Sequence, residues 1–172
     1  MDERIRVAFE TDLEQINAIY NHYVETSHAT FDLAPTGMEV RKAWFAERQD
    51  ERHRVFVAVD DDEIHGYAAS GRYRPRAAYD TTVESAVYVA PGSLGRGIGR
   101  ALYRVLLEAV DASDAHRVVA GVALPNPASE ALHLEFGFRR VAHFSEQGVK
   151  FGRFWDVDWY ERAIGRGTAP SG

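Results

Sequence analysis

Apolar and polar positions in this chain follow two periods, and the switches between them mark out the elements. Ile5-Arg6-Val7-Ala8-Phe9 alternates like an edge strand, and Thr11-Asp12-Leu13-Glu14 then reads as a capping box that opens a helix. Leu13, Ile16, Ile19, Tyr20, Tyr23 and Val24 fall on one face at helical spacing. A second capping box, Thr36-Gly37-Met38-Glu39, predicts a helix that presents Val40, Ala43 and Trp44, and the irregular stretch 27–35 between the two helices reads as a loop. Val55-Phe56-Val57-Ala58-Val59 and Ile64-His65-Gly66-Tyr67-Ala68-Ala69-Ser70, joined by the acidic turn 60–63, predict an antiparallel hairpin.

Thr82 to Val89 supplies the next strand, and a helical run ends near Asp111. Arg117-Val118-Val119-Ala120-Gly121-Val122-Ala123 is an almost continuous apolar run, as in a strand covered on both faces. Asn126 reads as an N-cap with Pro127 at the first helical position, and Gly137 suits the left-handed residue after the helix ends. The last strands are expected from about Arg139 to Glu146 and from Arg153 to Tyr160, with 165–172 as a loose tail. An antiparallel block followed by helix, strand, helix and strand predicts a mixed α+β architecture, with residues 1–164 forming a single domain and no internal repeat.

The most specific stretch is Gly95-Arg96-Gly97-Ile98-Gly99-Arg100, between the strand Ala86-Val87-Tyr88-Val89 and the helical run from Ala101. Alternating glycines let a ligand approach the backbone, and the first N–H groups of a helix have no internal partner and carry the positive end of its dipole. Arg96 and Arg100 add donors suited to phosphate. A P-loop is excluded because no Gly-Lys-Ser/Thr ending follows, and a dinucleotide fingerprint because the glycines are one residue too tight and come past mid-chain.

Composition narrows the chemistry further. The chain has 172 residues and no cysteine, which excludes disulfides, thiolate metal sites and a cysteine-bound acyl group, and no metal is expected. A net charge of −6 speaks against a nucleic-acid partner. No apolar run approaches a membrane span and Met1-Asp2-Glu3-Arg4 lacks a signal segment, so no membrane association and a cytoplasmic location are expected.

Glu84-Ser85-Ala86-Val87-Tyr88-Val89, the glycine loop, Asn126-Pro127-Ala128-Ser129 and Phe136-Gly137-Phe138 together resemble the GNAT family of acyl-CoA-dependent N-acetyltransferases. Tyr20-Asn21, Ala29-Thr30-Phe31, Tyr73-Arg74-Pro75-Arg76, Thr82-Val83-Glu84 and Phe151-Gly152-Arg153 resemble its phosphinothricin and methionine sulfoximine acetyltransferase branch. The resemblance implies a GNAT-like fold, a mostly antiparallel twisted sheet flanked by helices on both faces. It also implies acetyl-CoA as cosubstrate, transfer to the α-amine of a small amino-acid-like acceptor in a ternary complex, and a homodimer. Two alternatives keep the fold: acetylation of a protein N-terminus, and an acyl-CoA-binding module without catalysis.

The same resemblance places the functional carboxylate at Glu84, where loss of hydration inside a covered strand would make it a better proton acceptor; the alternative is an ion pair with a nearby arginine. Backbone groups of Val87, Tyr88 and Val89 are expected to bond the pantetheine arm, Gly95 to Arg100 the diphosphate, and Asn126 and Ser129 the arm again, Asn126 also as a cap. Many relatives carry a tyrosine where Ser129 and His133 stand here, which leaves His133 or solvent as proton donor to the leaving thiolate. Arg74 and Arg76 suit a substrate carboxylate, Phe31 and Tyr79 the walls of its pocket, Ser85 a further contact, and Phe151-Gly152-Arg153 a closure across a dimer interface.

Overall fold

The computed structural model describes residues 4–164, so the tail expected at 165–172 lies outside the described residues. Seven strands form one sheet: β1 (Arg4–Val7), β2 (Val55–Asp60), β3 (Glu63–Arg72), β4 (Thr82–Val89), β5 (Arg117–Ala123), β6 (Arg139–Lys150) and β7 (Arg153–Ala163), in the order β1-β2-β3-β4-β5-β7-β6. Every neighbouring pair is antiparallel except β4 and β5. The helices are α1 (Leu13–Thr26), α2 (Met38–Ala46), α3 (Ile98–Asp111) and α4 (Pro127–Glu135). None of the described helices is long and apolar enough to cross a membrane.

Strand alternation divides the interior into two cores. Val55 and Val57 of β2 pack with Leu13, Ile16 and Ile19 of α1 on one face, while Phe56 and Ala58 pack with Leu102, Leu106 and Val110 of α3 on the other. A strand buried on both faces has no polar side to show, which is why β2 and β5 read as apolar runs rather than alternating ones.

Glycine, proline and asparagine set the local geometry around α4. The Asn126 side chain accepts from the Ser129 N–H at 3.2 Å, and Gly137 at φ +81° ends α4 as Phe138 N–H returns to the His133 carbonyl at 3.0 Å. Both expected capping boxes near the N-terminus differ from the structure. The chain enters α1 through a 3-10 turn in which the Asp12 carboxylate accepts from the Phe9 N–H, and α2 starts after Gly37 with no side-chain cap. Thr36 is instead tied to α1, its N–H donating to Asn21 Oδ1 and its carbonyl accepting from Asn17 and Asn21. α2 buries Arg41, 3 % exposed, and leaves Val40, 62 % exposed, largely in solvent. β6 and β7 form one long hairpin closed by Phe151 and Gly152, both at positive φ, and a bulge between Phe144 and Gly148 breaks the periodicity that suggested an earlier strand end.

Leu102 is fully buried between α3 and the sheet, so Leu102→Ala should cost about 2–5 kcal/mol in urea unfolding with an unchanged m-value. A loss below about 1 kcal/mol would contradict this placement of the α3 core.

Candidate active site

β4 and β5 pair in parallel for only three positions, Thr82 with Arg117, Val83 with Val118 and Glu84 with Val119, and then part. β5 continues along β7 to Ala123 and β4 continues along β3 to Val89, so a wedge opens between them. Which β4 groups face the wedge follows from the antiparallel pattern. Ala90 N–H donates to the His65 carbonyl at 2.8 Å, and bonded pairs recur every second residue, so Tyr88, Ala86 and Glu84 spend their backbone groups on β3. Val87 and Val89 are left facing the wedge. Of the three residues expected to offer backbone bonds there, Tyr88 is therefore turned away. The Val89 carbonyl accepts from the Tyr23 hydroxyl at 2.7 Å, a contact the sequence did not announce.

The glycine loop lies at the mouth of this wedge. Gly95 and Gly97 take φ of +77° and +82°, and a Cβ at either would meet open space, so these glycines serve backbone conformation and approach rather than packing. Gly99 does the opposite: a Cβ there would stand 3.3 Å from Val89 Cγ2, so its bareness lets α3 begin close against β4. The first bond of the α3 ladder runs from Ala101 N–H to the Gly97 carbonyl, which leaves the amides of Ile98, Gly99 and Arg100 ahead of it at the positive helix end. Arg96 Nη1 donates to Ser93 Oγ at 3.4 Å, and Arg100 is ion-paired to Glu135 of α4. An open, left-handed glycine turn feeding unpaired amides fits the diphosphate of an acyl-CoA, and the wedge beside it fits the amide-bearing arm.

On the α1/α2 face a cleft of about 310 Å³ opens beside the wedge, lined by Glu84, Ser85, Ala86 and Tyr88 of β4, by Tyr67 and Gly71 of β3, and by Tyr20, Arg41, Trp44, Arg48 and Arg72. The Glu84 carboxylate has no hydrogen bond or ion pair among the described residues. Burial raises its pKa above the ordinary glutamate value, and the positive charge of Arg48 partly opposes the rise. The expected alternative, a direct ion pair, does not form. Ser85 also lies along the cleft, but its hydroxyl points through to the other face and shares a 2.8 Å hydrogen bond with Tyr103.

Several expected contacts sit elsewhere. Arg74 and Arg76 are exposed outside the cleft lining; Arg74 stacks on Tyr73 and Tyr79 instead. Phe31 packs on the backbone of Gly148 in β6, where any Cβ would clash with its ring. His133 is 4 % exposed among Tyr103, Phe138 and Tyr160, and its Nδ1 donates to the Ser129 carbonyl at 2.7 Å. Burial lowers its pKa, and its Nε2 is enclosed without a partner, so the ring is a neutral core group with no proton to offer the cleft. The cleft's own cations are Arg41, Arg48 and Arg72, and the spacing that marks the first two, Arg41-x-x-Trp44-x-x-x-Arg48, was the available signal.

A split sheet beside a helix-end anion cradle, with an unpaired carboxylate in the adjoining cleft, defines an acyl-CoA-type transferase site. The profile described as "Acetyltransferase (GNAT) family" matches residues 16–138, and the chain belongs to that family as a GNAT N-acetyltransferase. It is 49% identical to a phosphinothricin N-acetyltransferase of Streptomyces coelicolor over 94% of this chain and 96% of the relative. It is 34% identical to an L-methionine sulfoximine/L-methionine sulfone acetyltransferase of Salmonella typhimurium, over 96% and 97%. Among solved structures it matches a GNAT superfamily phosphinothricin acetyltransferase from Sinorhizobium meliloti in complex with AcCoA, with a TM-score of 0.93 and 31% identity over 99% of this chain and 93% of that one.

Because the folded state holds the Glu84 proton to higher pH than the unfolded chain does, stability is lost as pH rises from the ordinary glutamate pKa through the raised one. Glu84→Gln cannot ionise, so its melting temperature relative to wild type should climb across that window and then level off. A gap that stays constant with pH in thermal unfolding would contradict the raised pKa.

Proposed function

We propose that this enzyme transfers the acetyl group of acetyl-CoA to the α-amine of a small amino-acid-like acceptor of the phosphinothricin, methionine sulfoximine or methionine sulfone type. The transfer occurs by direct attack in a ternary complex within one catalytic domain. The observation that carries this reading is the Glu84 carboxylate: half-buried, unpaired, raised in pKa, and placed where β4 leaves β5. Acetyl-CoA supplies the activated acyl group as a thioester. Every other requirement falls to the chain.

An ammonium cannot attack until it loses a proton, and Glu84, alone or through a water, is the acceptor for it. Val87, with its backbone N–H facing the wedge, offers a donor where a carbonyl oxygen gains charge. Gly95, Arg96, Gly97, Ile98, Gly99 and Arg100 hold the diphosphate, with Val89, Asn126 and Ser129 along the arm. No side chain in the cleft is arranged as an acyl-carrying nucleophile, which favours a single displacement. The leaving thiolate takes its proton from solvent, since His133 is enclosed.

The arginine-lined cleft favours a free amino acid over a protein N-terminus, whose first residue has no carboxylate to place there. The unpaired carboxylate likewise favours catalysis over mere cofactor binding. The reading includes a cytoplasmic homodimer. Val141, Phe144, Val149, Phe151 and Phe154 are exposed on the β6–β7 hairpin, and β6 is an edge strand, a surface that a second copy would cover.

Purified protein with acetyl-CoA should release CoA in the presence of methionine sulfone, methionine sulfoximine or phosphinothricin. Glu84→Gln should lower kcat by about 100-fold or more while calorimetry shows acetyl-CoA binding unchanged. Acetylation confined to peptide N-termini would redirect the acceptor assignment, and an undiminished kcat in Glu84→Gln would remove Glu84 as base.

A further inference from the structure

Arg48 and Glu84 lie near one another in the same cleft without meeting. Gly71 stands directly opposite Glu84 in the β3–β4 register, and the Arg48 guanidinium lies flat on Gly71, where an added Cβ would come 2.5 Å from Nη2 and 2.9 Å from Cζ. Arg48 Nη1 donates to the Trp44 carbonyl at 2.6 Å, and the guanidinium carbon rides 4.4 Å from the Trp44 ring centre. Its Nε is buried with no hydrogen-bond partner. The only ion pair it makes among the described residues is a 3.9 Å contact with Glu47, an exposed residue. Each of Arg48 and Glu84 shifts the other's proton affinity, so the charges sense one another, yet no ion pair closes between them.

A half-buried guanidinium and a half-buried carboxylate facing one cleft would normally offset their desolvation by touching. Here the bare Cα of Gly71 and the Trp44 ring and carbonyl hold the arginine back. The gap has the chemistry of a zwitterion: an ammonium and a carboxylate carried by one carbon match a carboxylate and a guanidinium held apart. We infer that Arg48 and Glu84 are the halves of a split ion pair completed by a free amino acid, its ammonium at Glu84 and its carboxylate at Arg48, so that Arg48 restricts the acceptor to compounds with an α-carboxylate. This rests on the acceptor class proposed above and names the residue that enforces it.

The other cations fit this task less well. Arg41 already donates through Nε to Asn17 Oδ1 at 3.0 Å and is stacked on Tyr20. Arg72 has a side chain 55% exposed and drawn toward Asp80 at 3.8 Å, and Arg74 and Arg76 lie outside the cleft lining.

The test compares methionine sulfone with the amine obtained by removing its carboxyl group, as the ratio of kcat/KM values. Wild type should favour the amino acid. Arg48→Gln should cut that ratio by about 10- to 100-fold, chiefly by raising the KM of the amino acid, the effect expected for one charge-assisted contact. Arg48→Lys should restore part of it. Gly71→Ala should imitate Arg48→Gln by pushing the flexible end of Arg48 off its seat without altering any charge, and calorimetric titration of acetyl-CoA shows that each variant keeps its cofactor site. A ratio unchanged in Arg48→Gln and Gly71→Ala overturns the proposal while leaving the acceptor class in place. A wild type that acetylates peptides or simple amines but no free amino acid overturns both.

Discussion

The site depends on a ladder that stops early. Once β4 and β5 have paired through Glu84 and Val119, their shared hydrogen bonding ends, although each strand remains anchored on its other side by β3 or β7. Buried backbone groups without partners are costly, so a parting of this kind persists only where the flanking pairings hold it open and another molecule can satisfy the exposed groups. The seven-stranded order, with its single parallel pair at the parting, provides that support. The candidate site residues gather at this discontinuity: Glu84 at the last registered pair, Val87 and Val89 along the wedge, and the glycine turn at its mouth.

Charge is arranged around the wedge by sheet alternation. Glu84, Ala86 and Tyr88 turn toward α1 and α2, while Val83, Ser85, Val87 and Val89 turn toward α3, so adjacent β4 residues serve opposite faces. The cleft side is thereby furnished with aromatic rings, arginines and the Asp32 carboxylate, and the other side with an apolar core. Trp44 links the two roles, since both Arg41 and Arg48 stack on its ring and are held in the cleft without carboxylate partners there. The C-terminal hairpin reinforces the loop after α1: Lys150 Nζ donates to the Thr30 carbonyl at 2.7 Å, and the His28 ring stacks on Trp155 at 4.0 Å.

What could be read from the sequence was what local stereochemistry dictates. The glycine turn, the Asn126 cap, the Gly137 stop and the covered apolar strand β5 are each set by a few adjacent residues, and they stand where they were expected. Glu84 also stands at the site, through family resemblance rather than periodicity. The cleft beside Glu84 was less legible because it is made by contacts distant in sequence. Thr36 is bound by Asn17 and Asn21 of α1 rather than capping its own helix, and α2 buries Arg41 while Val40 stays exposed, an arrangement that no local pattern announces. The same limit explains Arg74, Phe31 and His133: residue type suggested a role, but the position of β6 and the aromatic core decided where each side chain went.

The central claim is that the wedge-facing amide of Val87 and the glycine turn leading into the first amides of α3 are the seat of acetyl-CoA. Amide hydrogen exchange, resolved to single residues with and without saturating acetyl-CoA, tests it most directly. The account predicts that Val87 and the segment Gly95 to Arg100 become protected on binding, while the Tyr88 amide, already bonded to β3, changes little. Protection elsewhere, with Val87 and the glycine turn exchanging as before, would contradict it.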